Sequence, residues 1–207
     1  MSTSPGPLLE ALTTLWAQVR SHVADLPTAR IAISPTPPTT NHDPTRWAWE
    51  GEVVTGLVVS AETLQAGPDA VLEVILHEAA HVLCWARGVQ DTASHGAYHN
   101  GRFLAAAEEV GLSWPADQPR TGRGYATPSP TEKTLDRYRS SLAELEDAIP
   151  LVLPHLTIPD ATARRRPASR LTLRCGCNEP RKMQMSPTVA AKAPVVCGAC
   201  KKPFTAQ

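Results

Sequence analysis

His77, Glu78 and His81 are the residues whose types and spacing most directly specify chemistry in this chain. Residues four apart on an α-helix return to the same side, offset by about 40° at 3.6 residues per turn. Two imidazoles at that spacing can grip one metal ion. Glu78 is rotated by about 100° from His77, which lets it reach a water on the ion but not the ion itself. Two imidazole ligands and a carboxylate base are the working parts of a zinc hydrolase. The same pattern also arises by chance, in helices whose histidines are simply satisfied in a core. Context favours the metal, because Val71, Leu72, Val74, Ile75, Leu76, Val82, Leu83 and Trp85 make this helix apolar nearly all round. Such a helix is a buried element, and burying two imidazoles and a carboxylate without partners is costly.

A catalytic zinc site of this type takes a third protein ligand and leaves the fourth position for water or substrate. Downstream candidates are His95, His99, Glu108 and Glu109. The metzincin continuation is excluded, since it requires Gly where this chain has Cys84 and His where it has Arg87. His99 is favoured. It opens an amphipathic segment, residues 98–110, whose Phe103, Leu104, Ala107 and Val110 would pack against the first helix.

These residues carry a resemblance. His77-Glu78-x-x-His81, a mostly polar loop, and then His99-Asn100-Gly101-Arg102-Phe103 ahead of Ala105-Ala106-Ala107-Glu108-Glu109-Val110-Gly111 resembles the SprT-like metalloprotease family, to which Spartan belongs. The resemblance covers residues 53–112, and a C-terminal zinc ribbon, found in many members, extends it. In that family the third ligand often sits in a His-Gly-x-x-Phe context. His99 keeps the spacing to Phe103, whereas Ser94-His95-Gly96 keeps only the His-Gly pair, so His95 is the alternative ligand. The resemblance implies an α+β, zincin-type domain with a small antiparallel sheet. It also implies protein substrates bound or crosslinked to DNA, and thus a part in DNA repair.

The elements that must position these residues read as follows. An amphipathic helix carries Leu8, Leu12, Leu15, Trp16, Val19 and Val23 on one face, with Pro27 just past its end. Residues 30–34 form a strand, followed by a Pro-rich loop, 35–45, in which His42 is solvated. Strands at 46–50 and 53–60 flank Gly51, and this pair is the candidate for binding an extended substrate by β-addition. Gly67-Pro68-Asp69 starts the central helix and Gly88 ends it. Cys84 is read as a small buried hydrophobe. Tyr98 could donate to a developing oxyanion, but packing at a helix start is the favoured reading. Residues 89–96 are mostly polar or small and expected to be mobile, and 114–128 are an irregular connector. Ser129-Pro130-Thr131-Glu132 is a capping box opening a helix to 150. Its stripe of Leu135, Tyr138, Leu142, Leu145 and Ile149 docks either on the catalytic domain or on a partner helix.

The expected organisation is therefore a metalloprotease domain at 1–127, the capping-box helix at 128–150, a Pro/Arg-rich linker at 151–170 and a ribbon at 171–207. Cys175 and Cys177, then Cys197 and Cys200, form two tight pairs with 19 residues between them, the pattern of a four-thiolate zinc site. A redox dithiol is the lesser reading. So short a segment has little apolar surface, and zinc would be its core.

Net charge is zero over 207 residues, yet residues 161–207 hold ten Lys or Arg and one acid, while 1–160 hold ten basic and nineteen acidic residues. The basic tail marks Arg164, Arg165, Arg166, Arg170, Arg174, Arg181, Lys182, Lys201 and Lys202 as DNA contacts, through counterion release at phosphates. Hydrophobic content of 42% suits a globular core, and 20 prolines imply long irregular connectors. No run approaches about 18 apolar residues and no secretory signal is evident, so a cytoplasmic protein, nucleoid-associated when DNA-bound, is expected. The sequence thus reads as a zinc endopeptidase with Glu78 as base and two zinc ions, one catalytic and one structural. A non-catalytic, zinc-stabilised nucleic-acid-binding or adaptor protein is the alternative.

Overall fold

The computed structural model describes residues 6–36, 47–94, 96–156 and 170–206. The expectations for His42, His95, Arg164, Arg165 and Arg166, and for most of the linker, fall outside those residues. The chain divides into two compact units, Met1–Pro159 and Asp160–Gln207, and its architecture is α+β.

In the first unit, α1 (Gly6–His22) buries Leu8, Leu12, Leu15, Trp16 and Val19, the stripe expected of a helix with one apolar face. Strands β1 (Thr28–Ser34), β2 (Ala48–Glu50) and β3 (Val53–Ser60) form a sheet in the order β1-β3-β2. β2 runs antiparallel to β3 across the turn at Gly51, but β1 runs parallel to β3, so the sheet is mixed and not the antiparallel one expected; β2 lies at its edge. The short helix α2 (Ala61–Gln65) is capped by Ser60, whose side chain accepts from Thr63 N. Gly67 then turns the chain into α3 (Pro68–Ala86), with Pro68 in the first turn, where a missing N–H costs nothing, and Asp69 at the positive end of the dipole.

α3 is the centre of the core. Val71, Leu72, Ile75, Leu76, Ala79, Val82 and Leu83 are all fully buried, and each large aliphatic among them is worth about 2 kcal/mol on burial. Cys84 belongs to the same core, and burial pushes its thiol up to about 12, so it stays a protonated, inert hydrophobe. α4 (Gly101–Val110) packs against α3 through Phe103, Ala107 and Val110. It ends at Gly111, in the left-handed conformation that terminates helices. Arg87, at the end of α3, donates to Asp25 beyond α1 and to both carboxylate oxygens of Glu109 on α4, fastening three segments at one point.

The C-terminal helix of this unit differs from expectation in two respects. Ser129–Pro130 is not a cap but a strand, β7, paired with β6 (Leu112–Ser113). The cap falls on Thr131, whose hydroxyl accepts from Thr134 N at 3.1 Å. The helix is also divided at Tyr138 into α5 (Glu132–Arg137) and α6 (Arg139–Val152). Its apolar stripe docks within the unit: α6 lies on α1, with Ser141 Oγ donating to Gln18 Oε1 at 2.7 Å and His22 meeting the Tyr138 ring edge-on.

The second unit contains β8 (Leu171–Arg174), β9 (Lys182–Met185), α7 (Pro187–Ala190) and β10 (Thr205–Ala206), with an antiparallel sheet in the order β10-β8-β9. Among the described residues no helix is long and apolar enough to cross a membrane.

Candidate metal centres

His77 and His81 stand one turn apart on α3, and the third member of the cluster, His99, lies in β5 (Tyr98–His99). His99 precedes α4 and does not open it. The cap position belongs to Asn100, whose Oδ1 accepts from Arg102 N at 2.8 Å and Phe103 N at 3.2 Å, and the backbone before such a cap is extended. His99 is held from both sides. It pairs with Thr92 of β4 (Thr92–Ala93) on one flank. On the other, His99 N donates to Arg123 O at 3.0 Å and Tyr125 N donates to His99 O at 3.1 Å. Between those two bonds sits Gly124 at φ +70°, where a Cβ would lie 2.0 Å from His99 O. The 114–128 connector therefore clasps His99, the third member of the cluster.

The three Nε2 atoms converge. His81 Nε2 is 3.1 Å from His77 Nε2 and 3.2 Å from His99 Nε2. Zinc–nitrogen bonds of about 2.0–2.1 Å at tetrahedral angles put neighbouring ligand nitrogens about 3.3 Å apart. The donor set fits that ion. Phe103, fully buried, lies against all three rings, its ring centroid 4.9, 4.6 and 4.5 Å from those of His77, His81 and His99. Burial also lowers the His99 pKa, favouring the neutral imidazole that binds a metal.

The other ring nitrogen of His81, Nδ1, meets Asp91 Oδ2 in a short contact. An ionised carboxylate can only accept, so the proton sits on Nδ1 and Nε2 presents its lone pair to the cluster. Residues 89–93 are accordingly not the loose stretch that their composition suggests. Val89 N donates to Cys84 O at 2.8 Å, Asn100 N to Asp91 O at 3.0 Å, and Asn100 Nδ2 to Gln90 O at 2.9 Å.

Glu78 is buried at 9% exposure, one residue along α3 from the first ligand and outside the converging group. Glu108 and Glu109 do not join that group either; Glu109 is bound to Arg87, whose guanidinium lowers its pKa. Tyr98 packs its ring against Gly124.

In the second unit the four ligand atoms of Cys175, Cys177, Cys197 and Cys200 lie within 4.8 Å of one another. Two of them are already supplied with donors. Backbone N–H groups of Cys177 and Arg181 lower the Cys175 pKa, the latter at 3.2 Å from Sγ, and those of Cys200 and Ala199 bring Cys197 to about 6. Cys177, facing Cys175 and Cys200, is pushed up to about 12. Four cysteine sulfurs this close could together hold a cation, and both the donor set and the backbone N–H···S bonds suit zinc.

Arg174 and Lys182 are directly opposed across β8 and β9, so they share one face of the sheet. Arg170, Arg181, Lys182, Lys201 and Lys202 are exposed and Arg174 is half-buried. No family model, no curated protein and no solved structure matches this chain.

Proposed function

We propose that the chain is a zinc-dependent endopeptidase acting on DNA-bound or DNA-crosslinked proteins, built as a SprT-like zincin domain followed by a zinc ribbon. One observation carries the enzymatic reading: three imidazole Nε2 atoms converge, while Glu78, the residue after the first of them on α3, is buried and stands outside the group. A purely structural zinc site is closed by a fourth protein ligand and needs no base, whereas a three-histidine site leaves room for water and substrate. His77, His81 and His99 would hold the zinc, which when bound would supply Lewis-acid chemistry for the scissile carbonyl and for water. Glu78 takes the proton from the attacking water as its oxygen bonds to the carbonyl carbon. It returns that proton to the amine as the C–N bond breaks.

Edge strand β2 is suited to hold the substrate in extended form. Its Trp49 is 52% exposed and stacks on Trp85, one turn beyond His81 on α3, with ring centroids 5.2 Å apart. The exposed cations around the four-cysteine cluster support DNA as the surface that brings enzyme and substrate together.

Incubation with DNA and a DNA-binding protein tests the reading. Wild type should produce fragments, and Glu78→Gln should keep its zinc and its fold while cleavage falls by orders of magnitude. A zinc-loaded wild type that leaves the substrate intact would favour the non-catalytic adaptor, and equal cleavage by Glu78→Gln would remove Glu78 from the mechanism.

A further inference from the structure

We propose that Asp91 is a positioning residue of the three-histidine centre, joining the second ligand to the third and thereby setting the affinity of that site for its ion. The inference rests on the metal-centre reading above and adds a residue to it.

Asp91 reaches two ligands by two independent routes. Its carboxylate meets His81 Nδ1, where the side chains are only 5% and 16% exposed for His81 and Asp91. Its carbonyl accepts from Asn100 N at 3.0 Å, directly after His99, and the next residue, Thr92, pairs with His99 itself. His81 belongs to a helix and His99 to a strand end, so nothing in either element alone fixes their separation. Residues 90–93 bridge that gap, and Asn100 Nδ2 on Gln90 O braces the bridge from the other side.

A carboxylate this enclosed is costly unless paired. Pairing with His81 selects the Nδ1–H tautomer, fixes the ring's rotation about χ2 and makes Nε2 a stronger donor towards a cation. Such outer partners typically contribute 10–100-fold to metal affinity.

The test uses the full chain and zinc alone, with a competing chelator that resolves the two ions and with the four-cysteine site as internal reference. Asp91→Ala should weaken the histidine site by about 10–100-fold and leave the cysteine site unchanged. Asp91→Asn keeps an oxygen that can accept from Nδ1–H but removes the charge, so its loss should be smaller. The Nδ1–H resonance of His81 in the zinc-loaded protein should be protected from exchange in wild type and Asp91→Asn and vanish in Asp91→Ala.

A role in packing alone would lower the stability of the metal-free protein and leave zinc affinity and this resonance unmoved. Should Asp91→Ala fail to fold, Asp91→Asn decides. Wild-type affinity in Asp91→Asn together with an unprotected Nδ1–H in wild type would overturn the role of Asp91 while the centre stands. A wild-type chain that takes up zinc only at its cysteines would overturn the centre and this inference together.

Discussion

At the scale of single residues, a histidine is a good ligand when its ring cannot turn away, and His99 meets that condition more fully than its position in the sequence suggests. It is fully buried, bonded on both backbone edges and seated on Phe103. His99→Ala should therefore lower the zinc content of the chain from two ions to one by elemental analysis, whereas His95→Ala should retain both. The opposite result would transfer the third ligand to His95. The juxtaposition of His77, Glu78 and His81 is legible in the sequence because one helix fixes all three, and helical spacing is written directly in sequence. Asp91 was not. It lies ten residues beyond His81, in a stretch without periodicity, and its carboxylate acquires a partner only when the loop folds back over α3. Phe103 was legible as a core residue, yet its contact with all three imidazoles emerges only once α3 and α4 are packed.

At the scale of elements, the long pieces announce themselves and the short ones do not. α1, α3 and β3 have enough residues to show a period, and their expected and observed limits agree closely. β4, β5, β6 and β7 have two residues each, too few for any pattern, and it is β4, β5 and the turn at Gly124 that hold His99. The misplaced cap at Ser129 has the same origin, because a competing pairing with Leu112–Ser113 was invisible.

The clasp can be tested at Gly124. A left-handed backbone costs a non-glycine residue about 1–2 kcal/mol, and the added methyl would also collide with His99 O, which a β5 fixed on its other side by Thr92 cannot easily relieve. Gly124→Ala should destabilise the protein by at least about that amount and weaken zinc binding at the histidines. Gly122→Ala, two residues away with open space at its Cβ, should stay within about 0.5 kcal/mol of wild type. Thermal melts with and without zinc compare the two, and indistinguishable variants would show that the connector merely passes by.

At the scale of the whole molecule, the sequence carries one further signal: residues 1–160 have nine more acids than bases, and residues 161–207 have nine more bases than acids. Phosphate repels the first part, so the proposed attraction to DNA would have to come from the second. Among the described residues of that part the buried apolar core is small, namely Leu173 with Cys175 and Cys197 of the four-cysteine cluster. Zinc is thus expected to order the surface that carries the charge. A chain ending at residue 160 should keep the histidine-bound ion, since His77, His81, His99 and the elements holding them all precede the cut. Its DNA binding should be lost. For the full chain the logarithm of affinity should fall linearly with the logarithm of salt, by about 0.9 per phosphate neutralised, with little sequence preference. Cleavage of DNA-bound substrates by the shortened chain should collapse even though the chemistry survives, because DNA no longer concentrates enzyme beside substrate. Cleavage of a free unfolded protein should change little. Gel-shift and cleavage assays on both chains across a salt series measure each arm, and undiminished DNA affinity in the shortened chain would reassign the cysteine unit to binding a protein.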